Sequence, residues 1–291
     1  MKNLGLLCAI KIFFKKHNCP IPKIGTQNNL YICGNGPSLK SVYDNNIRFF
    51  HDKKVLCVNR IAETSYYEKL KPLVYVMIDG IALGTDHNMS EQQKKIAEGI
   101  RKNIVKKTMW EMYLVLPYAA KKSELVKAVS RNKNVHLVFM NTNVYGDCNK
   151  KIKYFMWKKA WCAPRMENVL VASIFIGLLM NFKKIYLYGA DHDWIKTISV
   201  NEENQIATDE KHVYEEKCTE NKHRINNENR YMRLGDLLSE WACMWNTYYE
   251  LNNFAKENNI DIINATPNSY IDAFPRCKDP VEKILCFGES C

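Results

Sequence analysis

The chain alternates short, continuous apolar runs with longer polar stretches whose apolar residues recur at helical spacing. The runs Leu30–Cys33, Val55–Val58, Leu73–Ile78, Leu114–Leu116, Val135–Phe139, Lys184–Tyr188 and Ile260–Ile263 read as strands. Runs that are apolar throughout, rather than alternating, suit parallel strands buried on both faces. Between them, Ser90 can cap a long helix carrying Ile96, Ile100 and Ile104. Asn168–Leu179 predicts an apolar helix packed deep on the sheet, and 233–257 a second, with Trp241, Met244, Trp245, Tyr248 and Leu251. Strands alternating with helices predict an α/β fold: a mostly parallel sheet with helices on both faces.

Several strands end in a polar residue: Asn35 after the first, Asn59 after the second, Asp79 after the third. Ligands of open α/β sheets bind at that carboxyl edge, so these three residues are expected to share one cleft. As single residues they also fit ordinary turns and caps. The first strand runs into Gly34-Asn35-Gly36-Pro37-Ser38-Leu39. Its glycines permit a tight turn and close approach of a ligand to the backbone. Pro37 suits a first helical turn, and Ser38 with Asn35 offers polar atoms at a helix N-terminus, which favours anions. The Lys184–Tyr188 strand ends in Gly189-Ala190-Asp191-His192-Asp193-Trp194, a second edge of the same kind. Asp-His-Asp could suggest metal ligands, but three adjacent residues on an extended chain cannot all face one ion, so a metal site is the lesser reading. Asn264–Ser269 is a third loop at this edge.

Residues 2–16 are apolar and studded with lysines, too short to span a bilayer. They read either as a helix packed on the domain or as an amphipathic helix on an anionic membrane through Lys11, Lys15 and Lys16. Residues 149–161 interleave lysines with Tyr154, Phe155, Trp157 and Trp161, and fit a packed helix with an exposed lysine face or a grip on an acidic acceptor or membrane. Residues 195–232 are polar, with little apolar periodicity, yet hold His212, Tyr214, His223, Arg224, Arg230 and Tyr231. A connection of that length suits a lid. The predicted divisions are thus 1–28, an N-terminal amphipathic helix and linker; 29–194, the main domain; 195–232, the lid; and 233–291, completion of the domain with a C-terminal tail.

Composition narrows the partners. The 291 residues are 46% hydrophobic, enough for a sizeable core, and carry a formal charge of +11. A basic balance favours an anionic partner. No RNA-binding signature, zinc-finger spacing or concentrated basic arm is present, which speaks against nucleic acid. The 11 cysteines are odd in number and scattered, without a Cys-x-x-Cys pair, and predict reduced thiols in the cytoplasm.

Three segments carry a resemblance when taken in order: the strand with Gly34-Asn35-Gly36-Pro37-Ser38-Leu39, the strand Lys184–Tyr188 with Gly189-Ala190-Asp191, and Thr266-Pro267-Asn268-Ser269. The chain resembles the bacterial sialyltransferases of glycosyltransferase family 42, and is similar to the related flagellin-glycosylation and pterin-pyrophosphokinase-like proteins. The resemblance spans about 29–275 but is dense only at these motifs. It implies a Rossmann-like, GT-A-like nucleotide-sugar-binding domain with an inserted lid, and metal-free, inverting transfer of sialic acid from a CMP-activated donor. Carried over by motif, the donor-binding residues are Asn35, Gly36, Ser38, Asn59, Asp79, Asn168, Gly189, Asp191, Pro267, Asn268 and Ser269, with the last three flanking the cytosine. Two departures stand out. Asp193-Trp194 occupies the place of a family tyrosine, and Arg230-Tyr231-Met232-Arg233 the place of the family's histidine base. Asp79 stands where the sialyltransferases have asparagine and matches the flagellin-glycosylation relatives better.

The expected activity is a cytoplasmic glycosyltransferase, peripheral on the inner face of the membrane, that acts on a bacterial lipooligosaccharide or capsule glycan. The base is expected to be His212, with His192 and His223 as substitutes, because an imidazole titrates near working pH. Tyr214 and Tyr231, with Arg224 or Arg230, would stabilise the departing phosphate. Its partners are a nucleotide-sugar donor and a glycan or glycolipid acceptor, without cofactor or nucleic acid; a homo-oligomer is compatible with the sequence. Two alternatives differ in class. One is a magnesium-dependent transfer of diphosphate from ATP to a pterin, with Asp79 and Asp191 on the metal. The other is a non-catalytic glycan-assembly protein with the same fold.

Overall fold

The computed structural model describes residues 10, 12–13, 15–85, 89–146, 149–210, 212–213, 219–223 and 230–278. The apolar runs pair as one sheet. Its strands are β1 (Asn29–Cys33), β2 (Lys54–Val58), β3 (Val74–Val76), β4 (Met112–Pro117), β5 (Val135–Met140), β6 (Lys184–Tyr188) and β10 (Asp261–Asn264). Their order is β10-β6-β1-β2-β3-β4-β5, and every pairing is parallel. The architecture is therefore α/β, as the alternating pattern predicts, and Rossmann-like, as the motif resemblance implies. The chain runs outward from β1 to β5, then returns to place β6 on the other side of β1. That reversal opens the crevice where open sheets take ligands, beyond the carboxyl ends of β1 and β6.

Both faces of the sheet are dry. Leu30, Ile32, Leu56, Val58, Val74 and Val76 point into one core. Tyr31, Cys33, Val55, Cys57 and Tyr75 point into the other. The first core is closed by α7 (Val169–Leu179) and by α8 (Leu234–Glu257), through residues such as Ile174, Phe175, Tyr248 and Leu251. The second is closed by α1 (Ser38–Asn46) and by α4 (Glu91–Lys107), with Leu39, Tyr43, Ile100 and Ile104 inside. Helix α4 begins at Ser90 with a full capping box to Gln93. Short helices α2 (Tyr66–Leu70), α3 (Gly80–Leu83) and α5 (Glu124–Val129), unmarked in the sequence pattern, complete that side.

Three segments differ from expectation or resolve an open choice. Residues 195–232 are not simply a long loop: β7 (Ser199–Val200), β8 (Ile206–Glu210) and β9 (Thr219–Lys222) form a small antiparallel sheet. Ile206 of this sheet packs with Met232 and with Leu237 of α8 in a small apolar cluster, with Ile198 and Trp241 against it. In α6 (Lys150–Lys158) the lysines divide: Lys153 is buried and paired with Glu250, whereas Lys151 and Lys158 face solvent. Among the N-terminal residues, Ile12 enters the main core, His17 stacks on Tyr118 at 3.6 Å, and the His17 backbone exchanges hydrogen bonds with Asn141. The described part of that segment packs on the domain through Ile12 and Phe13, whereas residues 1–9, Lys11 and Phe14 lie outside the described residues. No helix among the described residues is long and apolar enough to cross a membrane.

Candidate functional site

The turn after β1 and the turn after β6 are built against each other. Gly34 N donates to Tyr188 O at 2.8 Å and Gly36 N to Gly189 O at 2.9 Å. A Cβ on Gly34 would stand 2.4 Å from Gly189 O, and one on Gly36 1.8 Å from Asp191 Oδ2. The close approach that demands glycine is thus between two loops of the chain itself. Asp191 follows into that contact: Oδ2 accepts from Ser38 Oγ at 2.9 Å and Oδ1 from Ser38 N at 3.2 Å. The N-terminus of α1, expected to face a phosphate, is occupied by the protein's own carboxylate. Ser38 accordingly does not line the cleft. Burial pushes the Asp191 carboxyl up to about 6, the Ser38 hydrogen bonds oppose this, and the charge of Asp193 adds to it.

Beside this contact lies a cavity of about 580 Å³. It gathers residues from separate elements: Asn35 and Gly36 after β1, Asn59 after β2, Asp79 after β3, Asn168 before α7, Gly189 to Trp194 after β6 (Ala190 excepted), and His212 from the inserted segment. Asn59 is held left-handed, φ 44°, at the end of β2; Tyr75 OH donates to its carbonyl at 2.6 Å. A non-glycine residue kept in that region marks a locally determined backbone, common at binding sites. The side-chain oxygens of Asn35 and Asn59 are buried without a hydrogen-bond partner. A buried acceptor without a partner costs about 1–3 kcal/mol, so both atoms call for a donor from a ligand or water. Asp79 Oδ1 accepts from Ile81 N at 3.0 Å, capping α3. Val213 N donates to Asn35 O at 2.8 Å, which fixes His212 at the rim.

His192 occupies the floor in a left-handed conformation, φ 54°. Its Nε2 lies 2.9 Å from Tyr248 OH, and Asn168 Nδ2 donates to the same hydroxyl at 2.9 Å. Asn168 also caps α7 by accepting from Val171 N at 3.0 Å. Burial pushes the His192 imidazole down to about 3, so the ring stays neutral at working pH. A base that weak takes a proton poorly, which leaves His192 as a hydrogen-bonding group rather than a proton acceptor.

A second chamber of about 340 Å³ adjoins the first and shares Glu167, Asn168, His192 and Trp194 with it. Its other walls are Trp241, Met244, Leu237 and Glu240 of α8, with His223. The rings of Trp194 and Trp241 lie 4.4 Å apart at 55°. His223 Nε2 pairs with Thr208 Oγ1 at 2.9 Å, a contact within the small sheet. Glu167, Trp194, Glu240 and Trp241 were not singled out as site residues by sequence. Their signal was faint: two tryptophans, Trp241 and Trp245, one helical turn apart, and a third where the resembled family has tyrosine.

The late loop does not reach the cleft. Ala190 N donates to Thr266 Oγ1 at 3.0 Å, Ser269 Oγ to Ala190 O at 2.5 Å, and Tyr270 N to Asp191 O at 2.9 Å. Ser269 is buried, Pro267 and Asn268 are exposed, and none of the three lines either chamber. The loop braces the Gly189–Asp191 turn from behind. Tyr231 also lines neither chamber. Tyr214 and Arg224 lie outside the described residues, and Arg230 is exposed.

The charge of the cleft opposes that of the chain. The first chamber presents Asp79, Glu167, Asp191 and Asp193, and no lysine or arginine among its described lining. Glu167 is paired with Arg165 at the surface. No cluster of three or more histidine, cysteine or carboxylate side chains that could hold a metal ion is found among the described residues.

No protein-family model matches the chain, and no curated protein does. The resemblance to glycosyltransferase family 42 therefore stands on the quoted motifs alone. Among solved structures, the chain is similar to the MAf glycosyltransferase from Magnetospirillum magneticum AMB-1, with 9% sequence identity and a TM-score of 0.47. The match covers 95% of this chain and 38% of that one, so the chain spans well under half the length of that protein.

Proposed function

We propose that this chain is a glycosyltransferase that moves a sugar from a nucleotide-activated donor to a glycan acceptor. The observation that carries the reading is the pair of joined chambers: a polar one at the strand ends, with two buried, partnerless amide oxygens, opening into an aromatic one. Amide oxygens accept hydrogen bonds, so Asn35 and Asn59 suit ligand hydroxyls or an exocyclic amino group of a base. Tryptophan faces suit the apolar face of a sugar ring, so Trp194 and Trp241 form the acceptor's side. The bond to be exchanged falls between them, beside His192 and His212. There an acceptor hydroxyl oxygen attacks the anomeric carbon while the bond from that carbon to the phosphate oxygen breaks. The electron pair leaves with the nucleotide, and the hydroxyl proton passes to the imidazole of His212.

The donor's phosphate is repelled by the carboxylates of the first chamber. It therefore lies away from Asp79, Glu167, Asp191 and Asp193, on the side of the first chamber that His212 lines. A CMP-linked, metal-free donor is the form that the motif resemblance favours. For the sugar itself, an acid-rich lining suits a neutral or amino sugar better than one bearing a carboxylate. A second reading draws on the same four carboxylates: a divalent cation brought in with ATP would neutralise them, as in diphosphate transfer.

Calorimetric titration with CMP, CDP, UDP and ATP, each with and without magnesium, separates the readings. Binding of a pyrimidine nucleotide without magnesium supports the glycosyltransferase. Binding of ATP alone, and only with magnesium, supports diphosphate transfer. Absence of binding by all four removes both and leaves the non-catalytic alternative.

A further inference from the structure

The cleft leaves unused a basic, aromatic surface that the fold assembles from two distant parts of the sequence. Phe13, in the N-terminal segment, meets Trp161 edge-on with ring centroids 5.5 Å apart. Trp161 meets Phe155, on the outer face of α6, at 5.7 Å. Phe13 is 49% exposed, Phe155 52% and the nearby N-terminal Ile10 43%, so large apolar side chains project into solvent. Lysines surround them. Lys16 Nζ stands 4.0 Å from the Phe13 ring centroid and 5.0 Å from that of Trp161; Lys159 Nζ stands 5.9 Å from that of Phe155. Lys15, Lys151 and Lys158 are exposed on the same two segments. The sequence holds no acidic residue before Asp44 and none between Asp147 and Glu167, so neither segment carries countercharge of its own.

We propose that this surface seats the protein on an anionic lipid bilayer, with Phe13, Phe155 and Trp161 at the headgroup–acyl boundary and the five lysines against the lipid charge. Aromatic rings are favoured at that depth because one part of the side chain is apolar and the ring tolerates a wet edge. Lysines near an anionic surface add attraction that falls off within a Debye length. The apolar component separates this surface from a merely basic one: a polyanion such as nucleic acid would neutralise the lysines and leave the three rings in water. Ile12, buried in the core, and His17, bound to Asn141 and stacked on Tyr118, anchor the N-terminal segment so that the Phe13 ring stands exposed beside Trp161. The inference is independent of what the cleft transfers.

Co-sedimentation of the full chain with vesicles tests it. Vesicles of phosphatidylcholine with phosphatidylglycerol are expected to carry the protein down, and vesicles of phosphatidylcholine alone are not. Lys151→Gln with Lys158→Gln is expected to weaken binding about fivefold per lysine at moderate salt. Phe13→Ser with Phe155→Ser is expected to abolish the fraction that resists high salt, with the fold checked by circular dichroism. Equal binding to both kinds of vesicle, no binding to either, or binding that the phenylalanine substitutions leave intact overturns the proposal.

Discussion

The two chambers of the cleft are made in different ways. The first sits on the rigid edge of the sheet. Its walls are strand ends, and their positions follow from parallel register and from the glycine contact between the turns after β1 and β6. The second is made by one helix, α8, against a short turn and an inserted segment whose described residues Ile206 and Met232 join Leu237 of α8 in a small apolar cluster. A site on a sheet edge is fixed by the core beneath it; a site under an inserted flap depends on how the flap sits. Under the proposed function, the comparison predicts that donor and acceptor recognition can be altered separately.

The largest effect is expected where the chambers meet. His212→Ala should lower sugar transfer by on the order of 10²- to 10⁴-fold while leaving the unfolding midpoint unchanged, as read by initial rates and by thermal denaturation. A full rate from a well-folded variant removes His212 as the base. Gly36→Ala should break the first chamber at its origin, because the new Cβ meets Asp191 and Gly189 O. Urea denaturation should show a loss of about 3 kcal/mol, with nucleotide affinity falling in parallel.

Asp191 gives a similar or smaller effect that depends on pH. Its carboxyl is raised from 3.8 to about 6 in the folded protein, so the fold holds this proton more tightly than the unfolded chain does. Its stabilising contribution is full below pH 4 and is lost as pH rises through 6, a change on the order of 2–3 kcal/mol. Asp191→Asn should flatten that part of the stability–pH curve measured by chemical denaturation; an unchanged slope contradicts the assignment. In the second chamber, Trp241→Ala should raise the acceptor KM about tenfold and leave nucleotide affinity alone. If nucleotide affinity falls as well, the two chambers do not work separately. The smallest effect belongs to the late loop. Asn268 is exposed with φ 51°, so Asn268→Gly should change stability by less than about 0.5 kcal/mol and nucleotide affinity not at all.

What could be read from sequence tracks the same division. The parallel strands, the Ser90 cap and the cap alternative for Asp79 were legible because local chemistry and tertiary role agree there, whereas the capping box to Gln93 and the Asn168 cap emerge from the fold. The convergence of Asn35, Asn59 and Asp79 followed from strand polarity alone, and the cavity does gather them. Ser38 was read as a ligand contact because polar atoms at a sheet edge look alike in sequence, and Ser269 because the motif resemblance implies it. Only coordinates show that Asp191 answers the first and Ala190 the second. The small sheet of β7, β8 and β9 was missed because its strands are short and polar; buried Thr208 gives no apolar signal. The aromatic chamber was hidden for a related reason. Trp194 and Trp241 are 47 positions apart, and nothing local marks them as partners.

The central claim is that the partnerless oxygens of Asn35 and Asn59 receive a nucleotide-linked sugar at the sheet edge. Crystals soaked with CMP, or with a non-hydrolysable CMP-sugar, test it most directly. The account predicts density in the first chamber, with a ligand donor within hydrogen-bond distance of both oxygens and the sugar directed toward Trp194. Nucleotide density elsewhere on the molecule, or a first chamber that stays closed to saturating nucleotide, would contradict it.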